Sequence, residues 1–592
     1  MKMFKKVTAF FLAAVMVLAM NCTVFAAEVP ELPEAPESPK PQEAQVLEHE
    51  YTAYQIFSGT EVTDKGELLG IDWGTGINAE EFLEKLKSST EFNDADGKNP
   101  FADIEYKDPN TNTTTKSADA VARVITNWES DDINGSELNA ASEDGRARAF
   151  ARIADSCKNE GAVATTGERL DAGYYLVVDT QKDLTGENAV RNLSFLQMGD
   201  GREFTPVNKT DVPELEKKVK EINDSDVTII DQWGDVADYD LGDEVEFMLT
   251  GTLPTDYDSY ETYRYVFHDK LSPGLVLVTG DDAINVEIVN QGKDPVRLNP
   301  GDEFKIGGST DKESFTVEIE DLKKLNGTRD IVINANTKIV VTYKATLDGG
   351  ENGANVIIGG AGNENKAWLE YSNDPNHRGE GEPPTGNTPE DKVVVFTYQL
   401  LPNKVDENGE ALEGAGFSLF KFNGVTNAYE PVEIKGVTTE KKDSNGNIYY
   451  EIENVTTFEF KGVDAGKYKL VETTVPAGYN KAEDMYFDVV AELDETNQKI
   501  IKLEIAKVYD EKGNEILGSD GKTPVYTFGE MNESGNGNLT DGSLSTSIVN
   551  LKGIVLPSTG GIGTTIFYII GGILVVGAGV LLVTRKRMSK TE

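Results

Sequence analysis

Asp243 to Leu253 reads DEVEFMLTGTL, and its apolar residues Val245, Phe247 and Leu249 alternate with Glu244, Glu246, Met248 and Thr250. Period-two alternation puts one set of side chains on a core face and the other on a solvent face, which is the mark of a half-buried strand. Working outward, ETYRYVFHDKL (261–271), ESFTVEIEDL (313–322) and TKIVVTYKATL (337–347) alternate in the same way, separated by turns rich in Gly, Asn and Asp. A run of such strands predicts a β-sandwich.

The flanking regions differ. Upstream, EHEYTAYQIFSGT and LDAGYYLVVDT read as strands, whereas SADAVARVITNW and EDGRARAFARIADSCK have helical spacing, so residues 45–209 are expected to form a mixed α and β domain. The strand-rich region is expected over 210–392, and a Gly/Pro-rich bridge leads to a smaller β-sandwich over 393–553. The fold class is therefore mainly β, with tandem Ig-like β-sandwich domains after an α+β N-terminal domain. No repeat of fixed period is evident.

Both ends carry targeting signals. Lys2, Lys5 and Lys6, the apolar stretch Val7 to Met20 and the small residues Ala26 and Ala27 read as a secretory signal peptide over 1–27. An acidic, Pro-rich spacer follows over 28–44. At the other end, within 554–592, the apolar run Ile562 to Val583 is long enough for a transmembrane helix, and Arg585, Lys586 and Arg587 hold its far end in the cytoplasm. Cys22 lies inside the signal peptide without the small residues of a lipobox, so the exported chain keeps only Cys157. One cysteine forbids intrachain disulfides, so some other staple or large cores must serve. Cys157 shares a helical face with Phe150, Ile153 and Ala154 and is expected to be a buried core thiol.

The formal charge of −46 argues against nucleic acid, whose phosphates need clustered Lys and Arg. Three histidines and no Cys/His constellation offer neither a metal site nor a catalytic triad, so no cofactor is expected. DENGE (406–410), DSNGN (443–447) and DEKGN (510–514) have a calcium-loop flavour, but none continues to an EF-hand pattern and each reads as a hairpin turn.

Leu556, Pro557, Ser558, Thr559 and Gly560, followed by the apolar span and basic tail, resemble an LPXTG cell-wall sorting signal of Gram-positive surface proteins. HEYTAYQIFSGT with DAGYYLVVDT resembles the N-terminal domain of backbone pilins. PELEKKVKEINDS through NKAWLEYSNDP is similar to a fimbrial isopeptide-forming D2 domain. NKVDENGEALEGAGFSLF, YKLVETTVPAGY and SIVNLKGIVLPSTGG resemble a CnaB-type domain. Together they resemble a sortase-assembled major pilin, which implies an extracellular structural protein of the cell wall without enzymatic turnover.

The resemblance implies a sequence of partners. A class C-type pilus sortase would cut between Thr559 and Gly560 and join Thr559 to a lysine of an identical subunit. A housekeeping sortase would then attach the fibre to a peptidoglycan precursor. Minor pilins and host surface ligands are further partners, and adhesion is the implied role. The pilin lysine of this family lies in a motif written around Tyr-Pro-Lys. Here FTPVNKTDVP supplies Lys209 by its spacing to Pro213, with Asn208 in place of the usual proline; Lys217, Lys218 and Lys220 are nearby competitors. The alternatives are a wall-anchored adhesin or minor pilin that is sorted but not polymerised, and a wall-anchored enzyme.

The family also implies spontaneous Lys–Asn amides assisted by a buried carboxyl: Lys217, Asp269 and Asn365 in one domain, Lys404, Glu472 and Asn550 in the next. Strand parity gives an independent check. Lys217 shares a face with Leu215 and Val219, Asp269 with Tyr263, Tyr265 and Phe267, and Asn365 with Ala367, Leu369 and Tyr371. Lys404 goes with Phe396, Tyr398 and Leu400, although Pro402 interrupts the strand; Glu472 goes with Tyr468 and Leu470, and Asn550 with Leu544 and Ile548. Asn363 and Asn373 are alternatives to Asn365. An inward lysine paired with a carboxylate is also what an ordinary buried ion pair would show.

Overall fold

The computed structural model describes residues 49–106, 117–126, 145–159, 164–182, 184, 187–206, 211–226, 232–280, 283–308, 314–348, 353–377, 381–512, 514, 527–528, 534–553 and 562–588. In the first part, Tyr51–Ser58 (β1), Gly173–Asp179 (β2) and Phe195–Gly199 (β3) form an antiparallel sheet in that order. The sheet has a core on each face. Phe57, Tyr174, Leu176 and Val178 pack with the helices, and Tyr51, Ala53, Tyr175 and Val177 form a smaller cluster on the other side. Burial on both faces is why β2 reads as a nearly continuous apolar run.

Among the described residues, three helices cover the larger core: Ala79–Ser88 (α1), Ser117–Thr126 (α2) and Arg146–Asp155 (α3). Asn78 caps α1 by accepting the Glu81 N–H, and Phe82, Leu83 and Leu86 point inward. Cys157 is a buried free thiol in the turn just beyond α3, one step past the helical face expected to carry it.

The middle region contains Leu215–Glu221 (β4), Val236–Asp238 (β5), Glu244–Gly251 (β6), Tyr265–Leu271 (β7), Ile284–Val289 (β8), Ser314–Ile319 (β9), Lys338–Leu347 (β10), Asn363–Ser372 (β11) and Asp391–Phe396 (β12). They make two sheets, one in the order β5-β12-β11-β7-β9 and one in the order β8-β10-β6-β4. The alternation of the sequence is the alternation of burial, with Val245, Phe247 and Leu249 of β6 inside and Glu244 exposed. All three join one core with Tyr265, Phe267, Val341, Tyr343 and Leu369.

The third region contains Tyr398–Asp406 (β13), Gly416–Asn423 (β14), Ile448–Glu453 (β15), Phe460–Val463 (β16), Gly466–Thr474 (β17), Met485–Asp494 (β18), Lys499–Tyr509 (β19) and Ser543–Asn550 (β20). One sheet runs β16-β13-β20, the other β15-β14-β17-β18-β19. The first and last strands, β13 and β20, lie side by side and parallel, with Lys404 opposite Ile548 and Asp406 opposite Asn550.

Pro402 does not interrupt β13. Antiparallel pairing resumes around it: the Pro402 carbonyl accepts the Phe458 N–H, Asn403 bridges Thr457, and the Lys404 N–H bonds the Thr456 carbonyl, so only the one N–H that proline lacks is missing. A single residue, Thr397, separates β12 from β13. Val393 and Val395 pack in the middle core while Val394 and Phe396 pack in the third. The expected boundary at 392/393 therefore falls inside a strand that serves both cores.

DENGE, DSNGN and DEKGN adopt one turn. The leading Asp406, Asp443 or Asp510 accepts the N–H groups of the residues two and four positions on; these bonds hold the Asp406 and Asp510 carboxyls below their usual range, and the Asn447 side-chain amide, with the backbone bonds, does so for Asp443. Among the described residues, no group of three or more His, Cys, Asp or Glu is arranged to hold a metal ion.

At the C-terminus Ile562–Met588 (α4) is helical, and its described side chains from Tyr568 to Leu582 are almost all exposed. Among the described residues no helix is long and apolar enough to cross a membrane; the expected span includes Ile562 to Phe567 and Val583, whose side chains lie outside them. Lys209 and Leu556 to Gly560 also lie outside the described residues.

Candidate functional site: two buried lysine centres

Lys217 is carried on β4 with its side chain pointing between the two sheets of the middle region, where it is fully buried. Its Nζ lies 2.5 Å from Asp269 Oδ2, on β7 of the opposite sheet. Tyr343, on β10, completes the centre. Its hydroxyl accepts from Lys217 Nζ at 2.8 Å, accepts from Asn365 Nδ2 at 2.8 Å and donates to Asp269 Oδ2 at 2.6 Å. Asn365 comes from β11, also in the opposite sheet. The three residues singled out in the sequence thus converge, with an unanticipated phenol between them.

Burial dominates the electrostatics here. It pushes the Lys217 amine down and the Asp269 carboxyl up, with their mutual attraction opposing both shifts. Both groups are moved toward their neutral forms. The Phe247 and Tyr343 rings, with centroids 5.5 Å and 5.3 Å from Nζ, wall the amine off from water. Asp269 Oδ1 and Asn365 Oδ1 are buried and have no hydrogen-bond partner among the described residues.

The alternative asparagines are occupied elsewhere. Asn363 donates to the carbonyls of Ile357 and Val395 and accepts the Ile357 N–H. Asn373 donates to the carbonyls of Ala189 and Leu184, gripping the segment that precedes β3.

The third region has its own centre. Lys404 is 1 % exposed, and its Nζ donates to the backbone carbonyls of Ile548 at 2.7 Å and Val405 at 3.1 Å. Burial pulls its amine down to about 8, against the pull of Glu472 and Asp406. Asn550 stands two residues beyond Ile548 on the neighbouring parallel strand, hence on the same face. Its Nδ2 donates to Glu472 Oε1 at 2.7 Å, while Glu472 Oε2 accepts the Ala482 N–H at 2.6 Å. Asn550 Oδ1 is buried without a hydrogen-bond partner among the described residues.

A different lysine sits where the two sandwiches meet. Lys421 Nζ lies 2.7 Å from Asp224, 2.6 Å from Asp240 and 2.7 Å from Asp464. Burial opposes its charge, but these carboxylates outweigh burial and raise its pKa. It is a locked cation rather than a nucleophile. The backbone N–H groups of Asp464 and Ala465 bond Asp240 and Asp238 across the same junction.

A lysine driven toward its neutral form, a buried carboxyl and an adjacent primary amide, occurring twice in consecutive β-sandwiches, are the parts of a self-made amide crosslink. Comparison with known proteins bears on the same regions. Residues 399–507 match the SpaA prealbumin-like fold domain, and residues 549–590 match the LPXTG cell wall anchor motif. The trypsin-resistant surface T6 protein of Streptococcus pyogenes serotype M6 is 26% identical over 412 residues, covering 65% of this chain and 70% of that protein. Fimbrial subunit type 2 of Actinomyces naeslundii is 29% identical over 273 residues, covering 41% of this chain and 46% of that protein. The solved T6 backbone pilin of serotype M6 Streptococcus pyogenes aligns over 86% of this chain and 96% of its own, with 17% identity and a TM-score of 0.40. The anchor motif and the similarity to a surface T6 protein and a fimbrial subunit support a sortase-assembled backbone pilin of the Gram-positive kind. The chain is a structural pilus subunit of the extracellular, wall-anchored kind.

Proposed function

We propose that this chain is the backbone subunit of a covalent pilus and that it staples itself with two Lys–Asn amides. A class C-type pilus sortase cuts between Thr559 and Gly560 and passes the Thr559 acyl group to Lys209 of the next identical subunit. The helix after the motif retains the chain at the membrane until that cut, and a housekeeping sortase transfers the finished fibre to a peptidoglycan precursor. The domains are 45–209, 210–392 and 393–553, the last two sharing the strand Asp391–Phe396. Adhesion, through minor pilins or host surface ligands, is what the displayed fibre serves.

Within each sandwich the amine attacks Cγ of the asparagine, ammonia leaves, and the carboxyl moves the protons. Asp269 assists Lys217 and Asn365; Glu472 assists Lys404 and Asn550. The observation that carries the proposal is the convergence of Lys217, Asp269 and Asn365 from three strands into one fully buried centre. A covalent tie also suits an exported chain that keeps a single cysteine.

An intact mass of the exported chain followed by peptide mapping tests the crosslinks: each bond lowers the mass by one ammonia and yields one branched peptide. A mass equal to the sequence mass refutes them. Polymerisation is tested separately by Lys209→Ala, which should abolish high-molecular-weight ladders on denaturing gels; ladders that persist mean another lysine is used, and a parent without ladders means a sorted but unpolymerised surface protein.

A further inference from the structure

Burial alone accounts for most tyrosines of the middle core. The hydroxyls of Tyr257, Tyr263 and Tyr371 are buried with no hydrogen-bond partner among the described residues, so this core tolerates an idle phenol. Tyr239 and Tyr265 each donate to a single backbone carbonyl, whereas Tyr343 does more. Its ring packs like the others, stacked on Phe247 with centroids 5.4 Å apart and edge-on to Phe315 at 4.8 Å. Its oxygen, however, touches three groups at once: the amine that attacks, the amide nitrogen that must leave and the carboxyl that exchanges protons.

The geometry points to Tyr343 as a catalytic residue of the middle-domain crosslink, its hydroxyl carrying a proton from Asp269 to the departing nitrogen of Asn365. This inference rests on the Lys217–Asn365 amide proposed above and adds the route by which its leaving group is protonated. An amide nitrogen cannot leave as an anion, so it must gain a proton before the C–N bond breaks. Asp269 Oδ2 lies against Lys217 Nζ, and Asn365 Nδ2 has its hydrogen bond to Tyr343 rather than to a carboxylate. Lys217 and Asn365 are both fully buried, and among the described residues Tyr343 is the side chain hydrogen-bonded to both Asp269 and Asn365 Nδ2.

The protons balance along this route. Lys217 Nζ gives one proton to Asp269 Oδ2, and the neutral amine forms a bond to Cγ of Asn365. Tyr343 passes its hydroxyl proton to Nδ2 and regains one from Asp269, which takes up the proton shed by Nζ. The Cγ–Nδ2 bond breaks, and ammonia departs with Asp269 left protonated. Burial and the adjacent Asp269 hold the Tyr343 phenol well above its usual pKa, so it hands protons on without resting as a phenolate. The third domain needs no relay, because Asn550 Nδ2 donates directly to Glu472.

The test follows both branched peptides over time in the full chain, after synthesis is pulsed, by digestion and mass spectrometry. Tyr343→Phe should slow the Lys217–Asn365 crosslink by about a hundredfold, within the usual range for a general acid–base group, and leave the Lys404–Asn550 crosslink at its parent rate. Phe315→Leu disturbs the same ring packing but keeps the hydroxyl, and should crosslink close to the parent rate. A Tyr343→Phe chain that crosslinks as fast as its parent overturns the inference. So does a Phe315→Leu chain that is slowed equally, since packing would then be the cause. Absence of the Lys217–Asn365 peptide from the parent refutes the bond itself, a result that cannot be mistaken for either.

Discussion

The two lysine centres hold the same three functional groups in different geometries. In the middle domain the amine and carboxyl touch directly, and the asparagine reaches the carboxyl only through Tyr343. In the third domain the asparagine touches the carboxyl, and the amine instead rests on two backbone carbonyls. The origin is the strand layout. Lys217 faces Asp269 and Asn365 across the gap between sheets, whereas Lys404 and Asn550 sit on adjacent parallel strands and Glu472 reaches them from the opposite sheet. The reaction proposed for both centres would thus be set up across a sandwich in one and along one of its faces in the other, with burial neutralising the amine in each.

The contrast is broken most severely at the carboxyls. Asp269→Asn and Glu472→Gln should each retain the ammonia of their own domain and lose the entropic benefit of a closed loop of roughly 150 residues, about 5 kcal/mol. Asp269→Asn should cost more, by about 3–5 kcal/mol, because it leaves the Lys217 amine buried without its partner. Denaturant unfolding of each variant checks the ranking; equal losses would show that direct amine–carboxyl contact contributes nothing.

Asparagine substitutions sharpen the middle centre. Asn365→Ala should remove the crosslink and lower the domain's melting temperature by about 10–20 °C, from a loss near 5 kcal/mol. Asn363→Ala should keep the crosslink and cost about 1–3 kcal/mol for the backbone groups it strands. A branched peptide containing position 363 in the parent chain would reverse the assignment.

A smaller effect is expected where the sandwiches meet. Burial pushes Glu221 up to about 8 and Asp238 up to about 6, with their mutual repulsion contributing to the Glu221 shift; burial is also the main cause for Asp238. Each binds its proton more tightly in the folded chain than in the unfolded one. The junction is therefore most stable below the unfolded carboxyl range of about 4 and loses stability as pH rises from there, the Asp238 loss ending at about 6 and the Glu221 loss at about 8. Calorimetry from pH 5.5 to 8.5 should show a falling transition temperature that Glu221→Gln flattens at its upper end; the same slope in the variant would exclude Glu221. Smallest of all, Pro402→Ala should change stability by no more than about 0.5 kcal/mol, because the hydrogen bonds on either side of it are already made without its N–H.

Much of this was legible in the sequence because strands encode facing directly. Parity alone put Lys217, Asp269, Asn365, Lys404, Glu472 and Asn550 on inward faces, and all six are buried. Tyr343 escaped for an instructive reason. In TKIVVTYKATL it alternates with the core like any apolar residue, and only the sheet order, with β6 between β10 and β4, brings its hydroxyl to Lys217. Helix α1 could have been read from Phe82, Leu83 and Leu86 behind the cap at Asn78. Lys421 could not, since its three partners come from segments far apart in the chain and its own strand gives no sign of them.

The parallel pairing of β13 with β20 has a mechanical consequence. The chain enters the third domain at the start of β13, one residue after the last strand of the middle domain, and leaves toward the anchor at the end of β20. Tension between cell and fibre tip loads these neighbouring strands lengthwise in shear. The proposed Lys404–Asn550 amide, which ties one strand to the other, would hold them against sliding, while the hydrogen bonds between Gln399–Asp406 and Ser543–Asn550 share the remaining load together instead of peeling open in turn.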